Sequence, residues 1–193
     1  SAVVPLSDDQ RNRIGDSYNR LLHVLHAPEV SGSALNQNLD TKSITQNYMD
    51  NTPGITYFDN FLNLEPLQAL RRFLVESTIW YYYQYPGGYL GAMLIDGMAC
   101  PLLFQIADEL RRTFPNILKD YPLKQLWAYK YDRGHAGINL HADVAAINVN
   151  FWITPNSANL NPRNGGLIVH KQQAPFDWDF STYNPAGNEG HKA

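Results

Sequence analysis

The spacing of apolar residues changes character at Pro122, and that switch constrains the fold more than any other feature of the sequence. Upstream, apolar positions recur every three to four residues, the period of a helix packed on one face. Downstream, short runs rich in aromatic and β-branched residues alternate with Gly, Asn and Asp turns, the pattern of strands. A chain with helices first and strands after is expected to be α+β, its helices packed against one face of a sheet.

The helical half contains three such patterns. Ser7-Asp8-Asp9-Gln10 reads as a capped start, followed by Ile14, Tyr18, Leu21, Leu22 and Leu25 at helical spacing until Pro28. Residues 64–77 (LEPLQALRRFLVES) predict a packed helix with Pro66 in its first turn. Residues 100–114 (CPLLFQIADELRRTF) predict the clearest helix. Leu103, Ile106, Ala107, Leu110 and Phe114 form its buried stripe, and Arg111 and Arg112 lie near its C-terminal end. Residues 29–54 are polar and read as a long connection over the surface, and Ile55, Tyr57 and Phe58 suggest a short strand. Tyr85-Pro86-Gly87-Gly88-Tyr89 is a loop. In the other half, residues 126–131, 138–144, 146–154 and 166–170 are expected as strands, and residues 175–193 as irregular chain.

Composition excludes several classes. Lys and Arg are not clustered and the net charge is −3, so nucleic acid is not an expected partner. No run of about 18 apolar residues is present, so no membrane-spanning helix is expected. Ser1-Ala2-Val3-Val4-Pro5 lacks the basic start of a signal peptide, and without Met it reads as a trimmed start. The single cysteine, Cys100, rules out an internal disulfide framework and suits a reducing, cytoplasmic setting.

The chemistry concentrates at His141-Ala142-Asp143. Alternate residues of a strand share a face, so His141 and Asp143 are expected to point the same way. An imidazole and a carboxylate on one face suit a divalent metal, and two histidines with one carboxylate leave the open positions that non-haem Fe(II) oxygenases use. By itself the tripeptide also fits a solvated strand histidine beside an acid.

The surrounding segments sharpen this. They are Gln125-Leu126-Trp127-Ala128-Tyr129-Lys130-Tyr131, Gly137-Ile138-Asn139-Leu140-His141-Ala142-Asp143, Asn148-Val149-Asn150-Phe151-Trp152-Ile153-Thr154-Pro155, Gly165-Gly166-Leu167-Ile168-Val169 and Ala174-Pro175-Phe176-Asp177-Trp178. Upstream, Ser77-Thr78-Ile79-Trp80 and Glu109-Leu110-Arg111-Arg112-Thr113-Phe114-Pro115 add to them. From about Ile55 onward the chain resembles a bacterial family of 2-oxoglutarate- and Fe(II)-dependent oxygenases related to the prolyl hydroxylases.

The resemblance implies a double-stranded β-helix, or jelly roll, flanked by N-terminal helices. It implies an oxygenase domain over 55–193, with a helical half at 55–122 and a β half at 123–193, behind a helical prefix and surface connection at 1–54. It implies Fe(II) on His141 and Asp143, 2-oxoglutarate as cosubstrate, and hydroxylation of a small molecule or an amino-acid side chain. Tyr131, ten residues before His141, matches the family's cosubstrate-binding tyrosine; it equally suits a core aromatic. Asn148, Asn150 and Trp152 share one face by alternation, where a polar cosubstrate pocket, buried backbone or water would satisfy the amides.

The sequence departs from the family after that point. A second iron histidine and a basic residue for the far carboxylate are expected on late strands, yet only four strands can be counted where a jelly roll has about eight. His170, 29 residues after His141, and His191, 50 residues after it, are the remaining candidates for the third ligand. His135, His23 and His26 read as surface or packing residues. The chain is therefore expected to be incomplete and weakly active or inactive, with uncovered β edges that favour self-association. Two other readings stand beside catalysis: a non-catalytic jelly-roll binding domain with a vestigial metal site, and a scaffold whose helices dock a partner.

Overall fold

The computed structural model describes residues 5–16, 18, 23–82, 89–131, 141–163 and 166–184. It is an α+β arrangement with a helical core and a small sheet. In order the elements are α1 (Asp8–Ile14), α2 (Thr41–Asp50), α3 (Leu64–Glu76), β1 (Leu90–Met93), α4 (Pro101–Thr113), α5 (Pro115–Leu118), β2 (Trp127–Lys130) and α6 (Phe180–Tyr183). Two 3₁₀ turns, Leu94–Asp96 and Asn156–Ala158, complete them.

The core forms where α3 meets α4. Leu70, Phe73 and Leu74 of α3 lie buried with Leu102, Leu103, Ile106 and Leu110 of α4, and Ile79, Met98 and Phe114 fill the ends. Both helices follow the expected apolar stripes, but on α4 Leu102 is fully buried while Ala107 is only half-buried. Pro101 opens α4, where its missing N–H is no loss, and Arg111 and Arg112 stand in its last turn. Gly97 adopts φ 96° in the turn between β1 and α4, a left-handed conformation that costs glycine little.

The N-terminal region differs from expectation. Helix α1 stops at Ile14 and buries nothing: of the expected stripe Ile14 is 43% and Tyr18 55% exposed, while Leu25, beyond the helix, packs against the core. Leu21 and Leu22 lie outside the described residues. Residues 23–27 instead run extended along the start and end of the core helices. The His23 N–H donates to Thr78 Oγ1 (2.9 Å), the Leu25 N–H to Ser77 Oγ (3.0 Å), and the Leu102 N–H to the Ala27 carbonyl (3.2 Å). The polar stretch expected to wrap the surface contains α2, started by Asp40, whose carboxylate accepts from the Ser43 N–H at 3.0 Å and the Ser43 hydroxyl at 2.7 Å. Those Ser43 bonds hold the Asp40 carboxyl below its ordinary range. No strand forms at Ile55–Phe58. Phe58 packs its ring against Phe61 and Phe114, and Tyr57 points to solvent.

Helix α4 also docks the segment before α2. Gln105 accepts from the Val30 N–H (2.8 Å) and donates to the Gly32 carbonyl (2.9 Å). Glu109 accepts from Ser33 Oγ (2.7 Å), the Ala34 N–H (3.0 Å), the Leu35 N–H (2.9 Å) and Gln105 Nε2 (2.9 Å). Ala34, Leu35 and Ile44 are thereby delivered into the core. Burial alone pushes the Glu109 carboxyl up, but the amides of Leu35 and Ala34, with Ser33 and Gln105, outweigh it and leave the carboxyl below its ordinary value. A depressed carboxyl contributes stability that is present above its unfolded pKa and is lost as pH falls through the folded value. Glu109→Ala, which strands two backbone donors, is expected to cost about 3 kcal/mol in urea unfolding at neutral pH. The gap between the two proteins should narrow under acid; a gap that stays constant down to full protonation would contradict this assignment.

The sheet has two antiparallel strands, with Leu90 opposite Lys130, Gly91 opposite Tyr129, Ala92 opposite Ala128 and Met93 opposite Trp127. β2 coincides with the expected 126–131 strand. β1 was not anticipated, since its LGAM sequence has no β-branched residue. The remaining expected strands are a correction: the described parts of 138–144, 146–154 and 166–170 form no ladder. Residues 138–140 lie outside the described residues. The alternation persists only over residues 150–153: Phe151 and Ile153 are half-buried between exposed Asn150 and Trp152, whereas Val149, which the pattern would turn inward, is 47% exposed. Phe151 and Ile153 pack on the helical core, with the Phe151 ring 5.0 Å from that of Phe61, and Arg71 Nε donates to the Ile153 carbonyl. Phe151 and Ile153 reach the helices, but among the described residues no neighbour shares this segment's backbone bonds, so it forms no strand there.

Candidate metal site

Residues 141–145 place their side chains by local geometry. His141 and Asp143 stand two apart outside any regular element, and the Ala145 N–H closes a turn onto the Asp143 carbonyl at 2.9 Å. The two side chains converge as expected: His141 Nε2 lies 3.9 Å from Asp143 Oδ1, with the side chains 46% and 37% exposed. Asn148 Nδ2 donates to the other oxygen, Asp143 Oδ2, at 3.1 Å. The carboxylate is thus turned with one oxygen toward the imidazole and one toward the amide.

A fourth residue completes the arrangement. Asn184 Oδ1 accepts from the Ala142 N–H at 2.7 Å, and Asn184 Nδ2 donates to the Ala142 carbonyl at 2.5 Å. One-turn helix α6 carries Asn184 there. Asp179 anchors its start by accepting from Ser181 Oγ (2.6 Å), Thr182 Oγ1 (2.9 Å) and the Thr182 N–H (2.8 Å). Those hydroxyls of Ser181 and Thr182, with the Thr182 amide, hold the Asp179 carboxyl below its ordinary range.

The other expected site residues are distributed as follows. Tyr131 is half-exposed and its ring sits 5.3 Å from Tyr89 and 6.3 Å from Tyr129, in a three-tyrosine cluster on the sheet. Burial pushes its phenol up, so it stays an O–H donor at neutral pH. Asn148 contacts the aspartate directly, whereas Asn150 and Trp152 share its exposed side of the segment. The burial that would have made the two amides costly does not arise. His170 is exposed, and His191 and His135 lie outside the described residues. Among the described residues no three His, Cys, Asp or Glu side chains gather at one point. Asn184 escaped the sequence reading: it is 42 residues from its partner, and only the Asp179-Phe180-Ser181-Thr182 helix start hinted at order there.

The donor set fits a divalent metal in part. With metal–donor bonds of about 2.1 Å, neighbouring ligands lie about 3 Å apart, so a pair at 3.9 Å reaches that spacing by small side-chain rotations. An imidazole nitrogen with a carboxylate oxygen suits ferrous iron, and their exposure leaves room for further ligands. No family profile, no curated protein and no solved structure matches this chain. Among the described residues no helix is long and apolar enough to cross a membrane.

Proposed function

We propose that this chain is a 2-oxoglutarate- and Fe(II)-dependent dioxygenase, in which His141 and Asp143 hold the metal. The observation that carries this reading is the convergence of Nε2 and Oδ1 to 3.9 Å with the carboxylate oriented by Asn148. When bound, the metal and cosubstrate supply oxidation: 2-oxoglutarate and O₂ give succinate and CO₂ as a substrate C–H becomes C–OH. The chain's own residues bind and orient. Tyr131, kept protonated, is the proposed donor to a cosubstrate carboxylate oxygen, and the exposed Asn150 and Trp152 are the proposed further cosubstrate contacts.

The proposal extends to a jelly-roll core, a cytoplasmic setting, a small-molecule or amino-acid-side-chain substrate, and a third ligand drawn from His170 or His191. Self-association also belongs to it. Val144, Leu167, Ile168 and Phe176 are 80%, 59%, 76% and 105% exposed, apolar side chains that association would cover if they share one face. Size-exclusion chromatography should give an apparent mass above 21.9 kDa; a symmetric monomer peak at all concentrations excludes this part.

A second reading is a non-catalytic binding domain with a vestigial metal site, favoured by the fact that only two donors converge among the described residues. Anaerobic titration with Fe(II) and 2-oxoglutarate separates the two. A metal-to-ligand charge-transfer band that requires both components supports the dioxygenase, and its absence at saturating concentrations supports the vestigial site.

A further inference from the structure

We propose that Asn184 is a positioning residue for the metal pair, acting through the peptide between the two ligands. This inference rests on the iron reading above. In an antiparallel ladder, a hydrogen-bonded residue pair exchanges both N–H···O bonds, and this exchange fixes which way the flanking side chains point. Among the described residues, 141–144 have no such neighbour strand. The Asn184 carboxamide takes that place, accepting from the Ala142 N–H at 2.7 Å and donating to the Ala142 carbonyl at 2.5 Å. With Ala142 held on both its polar groups, the side chains on either side of it, His141 and Asp143, emerge in a fixed relation.

Asn148 adds the second constraint. Its bond to Asp143 Oδ2 stops the carboxylate from turning about its own axis and leaves Oδ1 on the imidazole side. Backbone and carboxylate are thus fixed by two different amides. Only a carboxamide offers a donor and an acceptor at the spacing of a peptide edge; a carboxylate lacks the donor and an alanine lacks both. The oxygen and nitrogen of Asn184 can be assigned in one sense only, since the reverse would place donor on donor and acceptor on acceptor. The chemical consequence is preorganisation: the two ligands are set when the chain folds, so less ordering accompanies metal entry.

The test uses Co(II) as an absorbing stand-in for ferrous iron, titrated into the full chain and into Asn184→Ala, Asn184→Asp and His141→Ala. Asn184→Ala and Asn184→Asp should weaken Co(II) binding by about 10–100-fold, the usual effect of an outer partner of a ligand, and alter the ligand-field spectrum. Asn184→Gln should recover part of the affinity. The Ala142 amide should exchange with solvent faster in Asn184→Ala, while the thermal midpoint stays near that of the parent, since Asn184 lies outside the core. Should Asn184→Ala prove unstable, Asn184→Asp, which keeps the volume and the acceptor, carries the comparison. Parent-like affinity and spectrum in both variants, with binding abolished in His141→Ala, would overturn the role of Asn184 and leave the iron reading intact. Failure of the parent to bind Co(II) would overturn both.

Discussion

His141→Ala and Asp143→Ala are each expected to lower Fe(II) affinity by more than about 100-fold and to abolish the charge-transfer band formed with 2-oxoglutarate. The magnitude follows from comparison: loss of a mere outer partner of a ligand costs about 10–100-fold, and loss of the ligand itself must exceed that. Among the described residues only two donors meet here, His141 Nε2 and Asp143 Oδ1, so among them neither loss is buffered by a full set. Both side chains are partly exposed and stand outside the helical core, so the variants should unfold at the same denaturant concentration as the parent. That separates a lost metal site from a lost fold. Asp143→Asn is the sharper variant, because it keeps the shape and the second contact with Asn148 becomes amide to amide, while the anionic ligand is gone. Retention of the band in Asp143→Asn or in His141→Ala would remove the metal assignment. His170→Ala serves as the companion measurement. A drop comparable to that of His141→Ala would make His170 the third ligand, and no drop would eliminate it.

Phe73→Ala is expected to destabilise the protein by about 3–5 kcal/mol, a large share of the roughly 5–15 kcal/mol that a domain has in total. Phe73 is 1% exposed, near the middle of the α3–α4 core among the most deeply buried large side chains. Truncation removes the ring and leaves a cavity that neighbours such as Leu70 and Ile106 cannot fill without moving α3 off α4. Urea unfolding followed by far-UV circular dichroism reads the change. Val75→Ala, two residues along the same helix but 71% exposed, is the control and should fall within about 0.5 kcal/mol of the parent. Equal effects at the two positions would show that α3 does not face the core as described. Because Phe151 and Ile153 reach the same helical core, Phe73→Ala should also loosen the segment that follows the metal pair.

Much of this architecture could be read before any coordinates. Helices α3 and α4 declare themselves through an apolar stripe, an N-terminal proline and a stop, and each signal is local. β2 is legible for the same reason: Trp127 and Tyr129 alternate along it with Tyr131 just beyond its end, and the stacking of both tyrosines on Tyr89 agrees with that pattern. Helix α2 was hidden because it is polar nearly all round, with Ile44 as its one buried residue, and its only local mark is the Asp40 cap. α1 illustrates the opposite error. Its spacing is helical, but Ile14 and Tyr18 face solvent, the helix ends at Ile14, and His23 and Leu25 bond instead to Thr78 and Ser77. The described parts of the strands expected after residue 138 form no ladder, for a related cause. Alternation specifies which side chains face inward, whereas a strand also needs a neighbour for its backbone.

For His141 and Asp143, the sequence alone leads to the expectation that an imidazole and a carboxylate two residues apart emerge on one side of the chain, and the two side chains approach to 3.9 Å. That expectation rests on the chain's own geometry and needs no partner. Tertiary structure decided everything that holds them there: Asn148 turning the carboxylate and Asn184 clasping Ala142 from 42 residues away. It also decided that the segment would lean on α3 through Phe151, Ile153 and Arg71 rather than on a strand. Contacts between residues distant in sequence depend on how separate segments are brought together, and no local period encodes that.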